Sequence, residues 1–526
     1  MQTQKFCSHR RSSSRQVQDA ERGIALLTVL LVLLLVTAIG FGILFMANTE
    51  TAVNANYRDT QKGFFAMRAG LEEARDRMRF NSNTPLTLPT TFPTAGTASS
   101  IIYITNPAGA ADVVSPTNSA NAYFDDEFCH ETFTTLVLTN PGANIPCGSG
   151  SAVPASAVTI IPSVTQYTNT PAALSYKWVR ITKKQNGSVN NAPVDSTQPL
   201  AAEVCYSSLT GTEIPITAVP GGYPNCNDAQ ANEQGVLPVY IVTSLAITPK
   251  GTRRIGQYEV AGVAINPPPG ALGLDGPGAT FSPAPNSNNF FIDGADTGAA
   301  GYTASGGTGA CSPGGPATVP AISTGDAAGA AAVSAGLPRP NKYTGTTAAP
   351  NVVNAGAGGT GLYGGAWSSP ATLNSLVASL ANAADQTYTC PIGSPCSPGG
   401  AVGTNANPLI TYVNGDFNYG NASGAGVLIV TGTLSINGNA NFNGLVLVIG
   451  QGIFNESGGG NGGFNGTIFI AKTNSPVSPY SQLATMGSPS IAWNGGGNSQ
   501  VQYNSCWANI GNSLHYLVIS THEEMY

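Results

Sequence analysis

The sequence is poor in charged residues and in histidine. Only 9% of its 526 residues are Asp, Glu, Lys or Arg, and it contains four histidines. Side chains of these types carry most acid–base and metal chemistry, so their scarcity argues against a hydrolytic active site. We therefore predict that the protein is not an enzyme and that it binds no cofactor and no metal.

An excess of positive charge is also missing beyond the first 23 residues. The whole chain has 21 Lys and Arg against 27 Asp and Glu. Five of the basic residues and two of the acidic ones precede residue 24, so 16 basic residues face 25 acidic ones after it, a balance of −9. Such a chain offers no electrostatic attraction to nucleic acid, which we exclude as a partner.

No C-x-x-C motif occurs, which disfavours a structural zinc site. Of the nine cysteines, Cys7 lies in the basic segment and eight follow it. An even number beyond a membrane segment fits disulfides in an oxidising compartment, with free buried thiols as the alternative. Many connectivities are open, and nearest neighbours would pair as Cys129 with Cys147, Cys205 with Cys226, and Cys390 with Cys396.

Gly23 to Thr49 is an apolar run of 27 residues without a charge. As a helix it would be about 40 Å long, enough to cross a hydrocarbon core of about 30 Å once. The basic residues before it place residues 1–22 in the cytoplasm and the rest on the far side of the membrane. A cleaved secretory signal would have a shorter apolar core and a small-residue exit, whereas here a helical pattern continues.

Apolar residues beyond this run keep the spacing of a helix. They step by threes and fours and predict that the helix persists to about Phe80. The stripe consists of Val53, Tyr57, Thr60, Phe64, Met67, Leu71, Ala74 and Met78. Arg68 with Glu72, and Glu73 with Arg77, add i,i+4 pairs on the other faces. A helix that is half lipid-soluble and half amphipathic suits a subunit that leaves the membrane for a filament; a signal anchor with an incidental extension is the alternative.

Two stretches of this predicted helix resemble a known family. "RGIALLTVLLVLLLVTAIGFGILFMANTE" and "NANYRDTQKGFFAMRAGLEEARDRM" look like the amino terminus of PilX-like minor pilins of type IV pili and, more distantly, of K-type pseudopilins of type II secretion. The resemblance covers about residues 20–80, and it departs from the family at Met67 and Arg68, where Ala and Glu are usual.

The resemblance implies a prepilin-type leader over residues 1–23. A membrane prepilin peptidase would cut after Gly23, Ile24 would become the methylated amino terminus, and residues 24–80 would pack in the pilus core. It also implies other pilins and the pilus assembly platform as partners. The protein would lie in the inner membrane before assembly and in the extracellular pilus afterwards.

Seen as a pilin, the chain lacks an acid. Major pilins carry a glutamate at the fifth mature position, where it neutralises the amino terminus of a neighbouring subunit in an apolar core. Here that position is Thr28, and no acidic residue follows Gly23 before Glu50. PilX-like and K-type proteins commonly lack the acid as well. We hypothesise that this subunit is not the repeating unit of a shaft and that it occupies the tip.

Short strand-like runs follow the helix. We predict strands at Ala157–Val164 and Leu174–Lys184, and a hairpin formed by Val239–Thr248 and Arg253–Ile265 around the turn Pro249–Gly251. An antiparallel sheet packed on the second half of the helix would give the α+β globule of a pilin, which we assign to residues 81–266.

A Pro/Gly-rich break at Ile265–Gly278 marks the predicted end of this globule. Residues 267–400 form a Gly/Ala/Pro-rich region, of which 296–368 have little to bury and are predicted as a long surface loop. One helix interrupts the region, with Ser369 as its N-cap and Pro370 at its first position.

Residues 401–526 repeat short apolar runs. "FNGLVLVI" and "FNGTIFIA" begin 22 residues apart, at Phe442 and Phe464, and Gly/Asn-rich corners separate the runs. This pattern predicts a mainly-β, β-helix-like domain whose corner asparagines stack, with an antiparallel β-sandwich as the alternative. Either fold presents an elongated β surface suited to binding.

Two short acidic motifs are weaker signals. In "THEEMY", His522, Glu523 and Glu524 do not have the H-E-x-x-H spacing of a zinc protease, and we predict a solvated tail. In "YFDDEFCH", Asp125, Asp126 and Glu127 offer oxygen ligands for calcium, although an exposed acidic loop is the favoured interpretation.

Three functions remain open from the sequence. The first, which we favour, is a minor pilin that assists assembly or caps the tip of a type IV pilus and presents its β domain for adhesion to a surface or a polysaccharide. The second is a pseudopilin of type II secretion, against which the large Gly/Asn-rich β module argues. The third is a bitopic envelope protein that never polymerises, for example a polysaccharide binder.

Overall fold

The computed structural model describes residues 14–79, 84–94, 96–131, 133, 154–163, 176–187, 192–231, 234–282, 284–298, 318–364, 367, 369–458, 461–494 and 497–524. Within them the chain forms a long amino-terminal helix followed by a mostly β body with mixed sheets. The predicted α+β class is confirmed at this level.

The first element is α1 (Ser14–Met78), a helix of 65 residues. Every residue from Ile24 to Asn54 is exposed, whereas one side of the helix is buried from Asp59 onwards. The predicted stripe is confirmed over its second half, because Met67, Leu71, Ala74 and Met78 are at most 4% exposed. The predicted extension of the helix is thus confirmed to Met78, and at the start of the stripe Val53 and Tyr57 are 60% and 64% exposed.

The second half of α1 packs on a mainly antiparallel sheet. Its first seven strands are β1 (Ile101–Thr105), β2 (Val158–Pro162), β3 (Tyr176–Lys183), β4 (Val204–Ser207), β5 (Thr212–Pro215), β6 (Val236–Ile247) and β7 (Arg253–Gly262), and a short helix, α2 (Cys226–Ala231), lies beside them. The order is β2-β1-β3-β6, and β6 also pairs with β7 and with β4, which pairs with β5; only β1 and β2 are parallel. The predicted strands and the hairpin are confirmed, with Ile247 opposite Arg253 at the turn.

A larger body of parallel strands follows β7. Its strands are β8 (Leu272–Asp275), β9 (Thr280–Phe281), β10 (Phe291–Asp293), β11 (Ile322–Thr324), β12 (Tyr343–Thr344), β13 (Val352–Asn354), β14 (Gln386–Thr389), β15 (Leu409–Asn414), β16 (Phe417–Gly420), β17 (Ser423–Val430), β18 (Thr433–Asn437), β19 (Asn441–Gly450), β20 (Ile453–Ser457), β21 (Gly463–Asn474), β22 (Gln482–Gly487), β23 (Ser490–Trp493) and β24 (Gln500–Tyr503). Its helices are α3 (Ala327–Gly336), α4 (Pro370–Asn382) and α5 (Ser505–Ala508). The predicted helix is α4, with Ser369 as N-cap in a capping box.

The strands of this second body belong to two sheets that the chain visits in turn. The twelve-stranded sheet has the main order β12-β10-β24-β21-β19-β17-β15-β14, and the five-stranded sheet has the order β16-β18-β20-β23-β9. Every pair in both sheets is parallel except β21 with β22. Successive apolar runs therefore stack side by side, with Phe442 opposite Phe464. The alternative of an antiparallel sandwich is wrong for these strands.

The twelve-stranded sheet is buried on both faces. One face shares a core with the inner side of the five-stranded sheet, where Phe417, Leu434, Phe454 and Trp493 meet Val430 and its in-register neighbours. The other face packs against α4 and α5. Parallel sheets covered on both faces read as continuous apolar runs, which is the pattern in "GLVLVI".

Two predicted boundaries differ from the structure. Residues 318–364 are not a surface loop, because they hold β11, α3, β12 and β13 and bury Ile322, Val333 and Tyr343. A run of three residues cannot form a core by itself. Here β11 pairs with β8 on one side and with β13 on the other, and its residues are buried in the sheet that results. Residues 299–317, 365, 366 and 368 of the predicted loop lie outside the described residues. Because β8 also pairs with β21, the regions predicted as 267–400 and 401–526 share one body.

The chain then returns to the first sheet. Strand β25 (Tyr516–Glu524) pairs antiparallel with β7, with Tyr516 opposite Gly262 and Glu523 opposite Gly256. The second body is thus inserted between two neighbouring strands of the first sheet. The prediction of a solvated tail at Thr521–Glu524 is confirmed for Thr521, His522 and Glu523, whose side chains are exposed. These residues are not a free tail, however, because their backbone pairs with β7 and covers an edge that would otherwise be open for pairing with other chains.

A column of glycines crosses the twelve-stranded sheet. Gly426, Gly444 and Gly466 lie opposite one another on β17, β19 and β21, all with φ between +121° and +145°. A Cβ on Gly444 would lie 1.8 Å from the carbonyl oxygen of Gly426. Only glycine combines this backbone conformation with so close an approach of the next strand.

We expect Gly444→Ala to lower the free energy of unfolding by about 3 kcal/mol or more, through backbone strain and the clash with Gly426. Urea unfolding of the full chain in detergent would measure it. Gly463→Ala on β21 is the matched control, because its Cβ would meet no atom closer than 3.4 Å. Equal stability of the two variants would contradict the prediction.

Candidate functional site

The first candidate site is the exposed half of α1. Gly23 and Ile24 both lie inside this helix. The large apolar residues from Ile24 to Met46 are 56–74% exposed. Among the described residues this is the one helix long and apolar enough to span a membrane, with a mean hydropathy of 2.9 over its best window. A surface that is apolar on every side needs lipid or other helices around it.

Thr28 lies on this exposed half and has its polar group satisfied locally. Its hydroxyl donates to the carbonyl oxygen of Ala25, 2.9 Å away, and Thr37 repeats the pattern with Leu34. A threonine bonded back to its own helix needs no partner in an apolar surrounding. A glutamate at this position would need one.

The second half of α1 lies very close to the sheet at Gly70. A Cβ on this residue would be 2.5 Å from the Ser244 hydroxyl oxygen and 2.8 Å from the Tyr176 ring. Glycine therefore sets the distance between helix and sheet at this crossing. Gly70 could not be singled out from the sequence, because the strands that contact it lie more than 100 residues away.

A buried carboxylate holds the helix beside this crossing. The Glu73 side chain is fully buried and accepts hydrogen bonds from Arg77 (3.3 Å), Ser163 (2.8 Å) and the Tyr176 hydroxyl. The predicted pair of Glu73 with Arg77 therefore forms under the sheet and not on an open face. Burial and the Glu73 carboxylate raise the pKa of Tyr176, which keeps that hydroxyl a donor. The other predicted pair, Arg68 with Glu72, is exposed at 3.9 Å.

Asp59 marks the place where α1 leaves the sheet. Its Oδ2 accepts hydrogen bonds from the hydroxyls of Thr248 (2.7 Å) and Thr252 (2.6 Å), on both sides of the β6–β7 turn. The side chain is 7% exposed. The hairpin turn is thus hydrogen-bonded to the helix just after the exposed segment that ends at Arg58.

On the far side of the sheet, Arg180 is fully buried between two acids. Its guanidinium donates to Asp125 and Glu131, and Tyr103 also donates to Asp125 at 2.6 Å. The predictions of a calcium site or an exposed acidic loop are both wrong for Asp125, because a cation from β3 already occupies its side of the loop. No group of three His, Cys, Asp or Glu suited to a metal occurs in the described part of the chain.

The other two residues of this acidic motif also differ from the prediction. Glu127 is 3% exposed, and Asp126 pairs with Arg253 at the start of β7. The sequence "YKWVRITKK" (Tyr176–Lys184) could have predicted these buried ion pairs, because basic residues interrupt an otherwise apolar strand there. All eight residues of β3 are buried, so each basic side chain there requires an acid.

A second buried ion cluster joins β3, β5 and β7. Lys184 lies 2.8 Å from Glu213 and 2.6 Å from Glu259. The hydroxyl of Ser520 donates to Glu259 at 2.5 Å and lies 3.1 Å from Nε2 of His522. In a serine hydrolase the acid contacts the histidine, whereas here it contacts the serine, so the arrangement is not that of a catalytic triad.

Two of the predicted disulfides are present. Cys205 of β4 is bonded to Cys226 of α2, and Cys390 is bonded to Cys396 beside the outer strand β14. Cys129 is also disulfide-bonded, but its predicted partner, Cys147, lies outside the described residues. Disulfides of this kind form and persist mainly in oxidising compartments.

The second candidate site is a surface that we call the polar face. It consists of the outward side chains of β16, β18 and β20, namely Asn418, Thr433, Ser435, Asn437, Asn455 and Ser457, and it continues over β23 and β9. The inward residues of these strands are buried in the core, so burial alternates along each strand. None of the outward residues on the five strands is charged.

Asparagines lie at equivalent positions of one corner beside this sheet, where they bond to backbone and do not form the predicted amide stack. Oδ1 of Asn421 accepts a hydrogen bond from the backbone N–H of Asn439 (2.9 Å), and Oδ1 of Asn439 accepts one from that of Asn461 (2.6 Å). Each asparagine therefore satisfies the backbone of the next turn of the chain.

The second body buries a carboxyl group at the end of β8. Asp275, at the end of β8, is 5% exposed, and its Oδ2 has no hydrogen-bond partner in the described residues. Burial raises the pKa of Asp275 to about 7. The folded state thus holds this proton more tightly than the unfolded chain does, so it loses stability as the pH rises from about 4 to about 7.

We expect Gly70→Ala to lower the free energy of unfolding by about 2 kcal/mol, because the methyl group forces α1 away from Tyr176 and Ser244. Urea unfolding of the full chain in detergent would measure it. Gly40→Ala is the matched control, since a Cβ there meets no atom within 4 Å. The prediction fails if Gly70→Ala unfolds at the urea concentration of the control.

We expect Asp275→Asn to stabilise the protein at a pH of about 8 by up to about 4 kcal/mol, and to have little such effect near pH 4, where the native carboxyl is protonated. Urea unfolding at the two pH values would measure the difference. Asp275→Leu removes the same titration without adding an amide and should share this pH dependence. A stability difference independent of pH would contradict the raised pKa.

Comparison with known proteins identifies no relative. No protein-family model matches the chain, and no curated protein or solved structure shows significant similarity to it. A functional interpretation therefore depends on the two sites described above, the exposed half of α1 and the polar face.

Proposed function

We propose that the protein is a minor pilin-like structural subunit of a type IV pilus, which assists assembly or caps the tip and presents a β-rich surface for adhesion. The observation that carries the proposal is the division of α1 into an exposed apolar half and a half packed on an antiparallel sheet. The resemblance of residues 20–80 to PilX-like minor pilins gives this geometry its specific interpretation.

The exposed half of α1 suits two successive environments. While it lies in the inner membrane, lipid surrounds its apolar residues, with the segment before Gly23 in the cytoplasm. After cleavage by a prepilin peptidase, the helices of other pilins would replace the lipid in the filament core. The packed half keeps its own sheet throughout, because Gly70, Glu73 and Asp59 bind it there.

Thr28 supports a position at the tip. Its hydroxyl is already bonded to Ala25, so the residue brings no charge into the core. In a major pilin, the acid at this position faces the amino terminus of a neighbouring subunit. A subunit without the acid fits a place where no subunit follows it.

For the second body we propose a β-helix-like architecture. The chain passes alternately through the twelve-stranded and five-stranded sheets from β15 to β21, and each pass pairs in parallel with the one before. Each turn buries its apolar side on the next, which is the behaviour of a solenoid. Such a body would place the polar face on the outside of the assembled subunit.

Intact-mass and amino-terminal analysis of the protein purified from membranes and from sheared pili would test the proposal. We expect a mature chain that begins at Ile24 and carries one added methyl group. Gly23→Val should remain uncut. Gly42→Val, in the same exposed apolar segment and with no atom within 4 Å of its Cβ, should be cut normally.

An intact Met1 end, or a cut at any other position, would overturn the pilin assignment and favour a bitopic envelope protein. Absence of the mature protein from sheared pili, together with normal pili in cells that lack it, would also count against the pilus. Processing at Gly23 combined with a secretion defect would favour the type II pseudopilin.

A further inference from the structure

We propose that the polar face of the second body binds neutral, hydroxyl-rich polysaccharide. This inference deepens the proposed function, since it names the face and the class of ligand with which the subunit would make contact. The position of the face, its chemistry and its lack of charge support the inference.

The polar face is the outer side of the second body as far as the described residues show, and its Asn437, Asn455 and Ser457 are exposed there. The layers follow in the order of α4 with α5, the twelve-stranded sheet, the inner core and the five-stranded sheet. The contacts to the first sheet are on the α4 side, where Val263, Ile265 and Leu517 join the outer core. The polar face therefore points away from the pilin-like part of the molecule.

The side chains on this face form regular rows. Asn418, Ser435 and Asn455 lie directly opposite one another on three parallel strands. The amide of Asn437 lies 3.2 Å from Oδ1 of Asn418 and 2.5 Å from Oγ of Ser457, so hydrogen bonds connect the strands across the row. Neighbouring strands are about 4.8 Å apart. A linear polymer lying across the strands would meet an equivalent polar group at each step.

The chemistry of these groups matches a sugar. Amides and hydroxyls each donate and accept hydrogen bonds, as sugar hydroxyls do. Ile453, half-buried beside Thr433, adds an apolar contact for the C–H face of a sugar ring. Short side chains held in rows also lose little conformational entropy on binding, which offsets the modest free energy of each hydrogen bond.

Charge decides between classes of polymer. The outward positions of the five strands carry no Lys or Arg to attract phosphate, sulfate or uronate groups, and no Asp or Glu to attract a cationic chain. Glu456, the one acid on these strands, is 2% exposed and alternates with the outward residues. An uncharged face with many donors and acceptors is complementary to an uncharged, hydroxyl-rich partner.

Pull-down of the full chain in detergent on insoluble cellulose and chitin, with an alginate gel as the anionic arm, would test the proposal. We expect binding to at least one neutral polymer and none to alginate. Binding should change little between about 50 mM and about 500 mM salt, because no ion pair contributes. Failure to bind both neutral polymers, or a preference for alginate, would overturn the proposal.

Three double variants locate the contact. Ser435→Ala with Asn455→Ala removes central hydrogen bonds without adding charge and should weaken binding about tenfold or more. Ser435→Lys with Asn455→Lys should abolish it. The matched control, Thr387→Lys with Thr389→Lys, adds the same charge on exposed residues of β14 and should bind as the native protein does. Native binding by the Ser435 and Asn455 variants would contradict the assignment, once circular dichroism shows that they are folded.

This assay separates the two proposals. Binding to cellulose or chitin by a protein that is not cut at Gly23 would support the polar face and contradict the pilin role. Correct processing and pilus location without binding to either polymer would support the pilin role and contradict the polysaccharide-binding role of the polar face.

Discussion

The contact between the second half of α1 and the antiparallel sheet is the constraint on which the rest of the structure depends. Three residues fix the helix on the sheet at successive positions along its length. Asp59 accepts hydrogen bonds from the β6–β7 turn, Gly70 allows the helix to approach the sheet closely, and Glu73 is a buried carboxylate that bonds to β3. Because the helix continues without a break, this contact also sets the direction in which the exposed apolar half leaves the sheet. Any lipid or neighbouring helix that surrounds the exposed half must therefore lie on that side of the sheet.

Charge is divided unequally between the two bodies. Residues 267–514 contain three basic and seven acidic residues, whereas the first sheet buries Arg180, Lys183 and Lys184 in pairs. Buried pairs contribute little net stability, but removing one partner leaves a charge stranded, so they specify which strands lie together. The described strands of the second body pack through parallel apolar rows and through glycine.

Sequence patterns predicted the elements whose cause is local. The long helix follows from its apolar spacing, the β6–β7 hairpin from a Pro/Gly turn, and the α4 start from Ser369 and Pro370. The in-register strands β19 and β21 were visible as a repeat of eight residues.

What the sequence did not reveal depends on distant partners. Arg180 finds Asp125 and Glu131 at separations of 55 and 49 residues, and β25 pairs with β7 across the whole inserted body. Ile322–Thr324 is a strand only because Leu272–Asp275 lies beside it. Of the two candidate sites, the exposed half of α1 was predictable as a long apolar run. The polar face was not, because its residues become one surface only when three strands fall into register.

The insertion of the second body between β7 and β25 has a mechanical consequence. Both connections leave the first sheet at the same end of two adjacent strands, with Gly262 opposite Tyr516, and a 2.5 Å hydrogen bond from the N–H of Ile265 to Asn512 ties them together. A force that pulls on the second body would load both strands at once and would act along their axes. The hydrogen bonds between β6 and β7 would then be sheared together as a set instead of being opened one after another, while β7 and β25 would be pulled in the same direction. If the subunit holds a surface under tension, two strands of its own sheet would share the load.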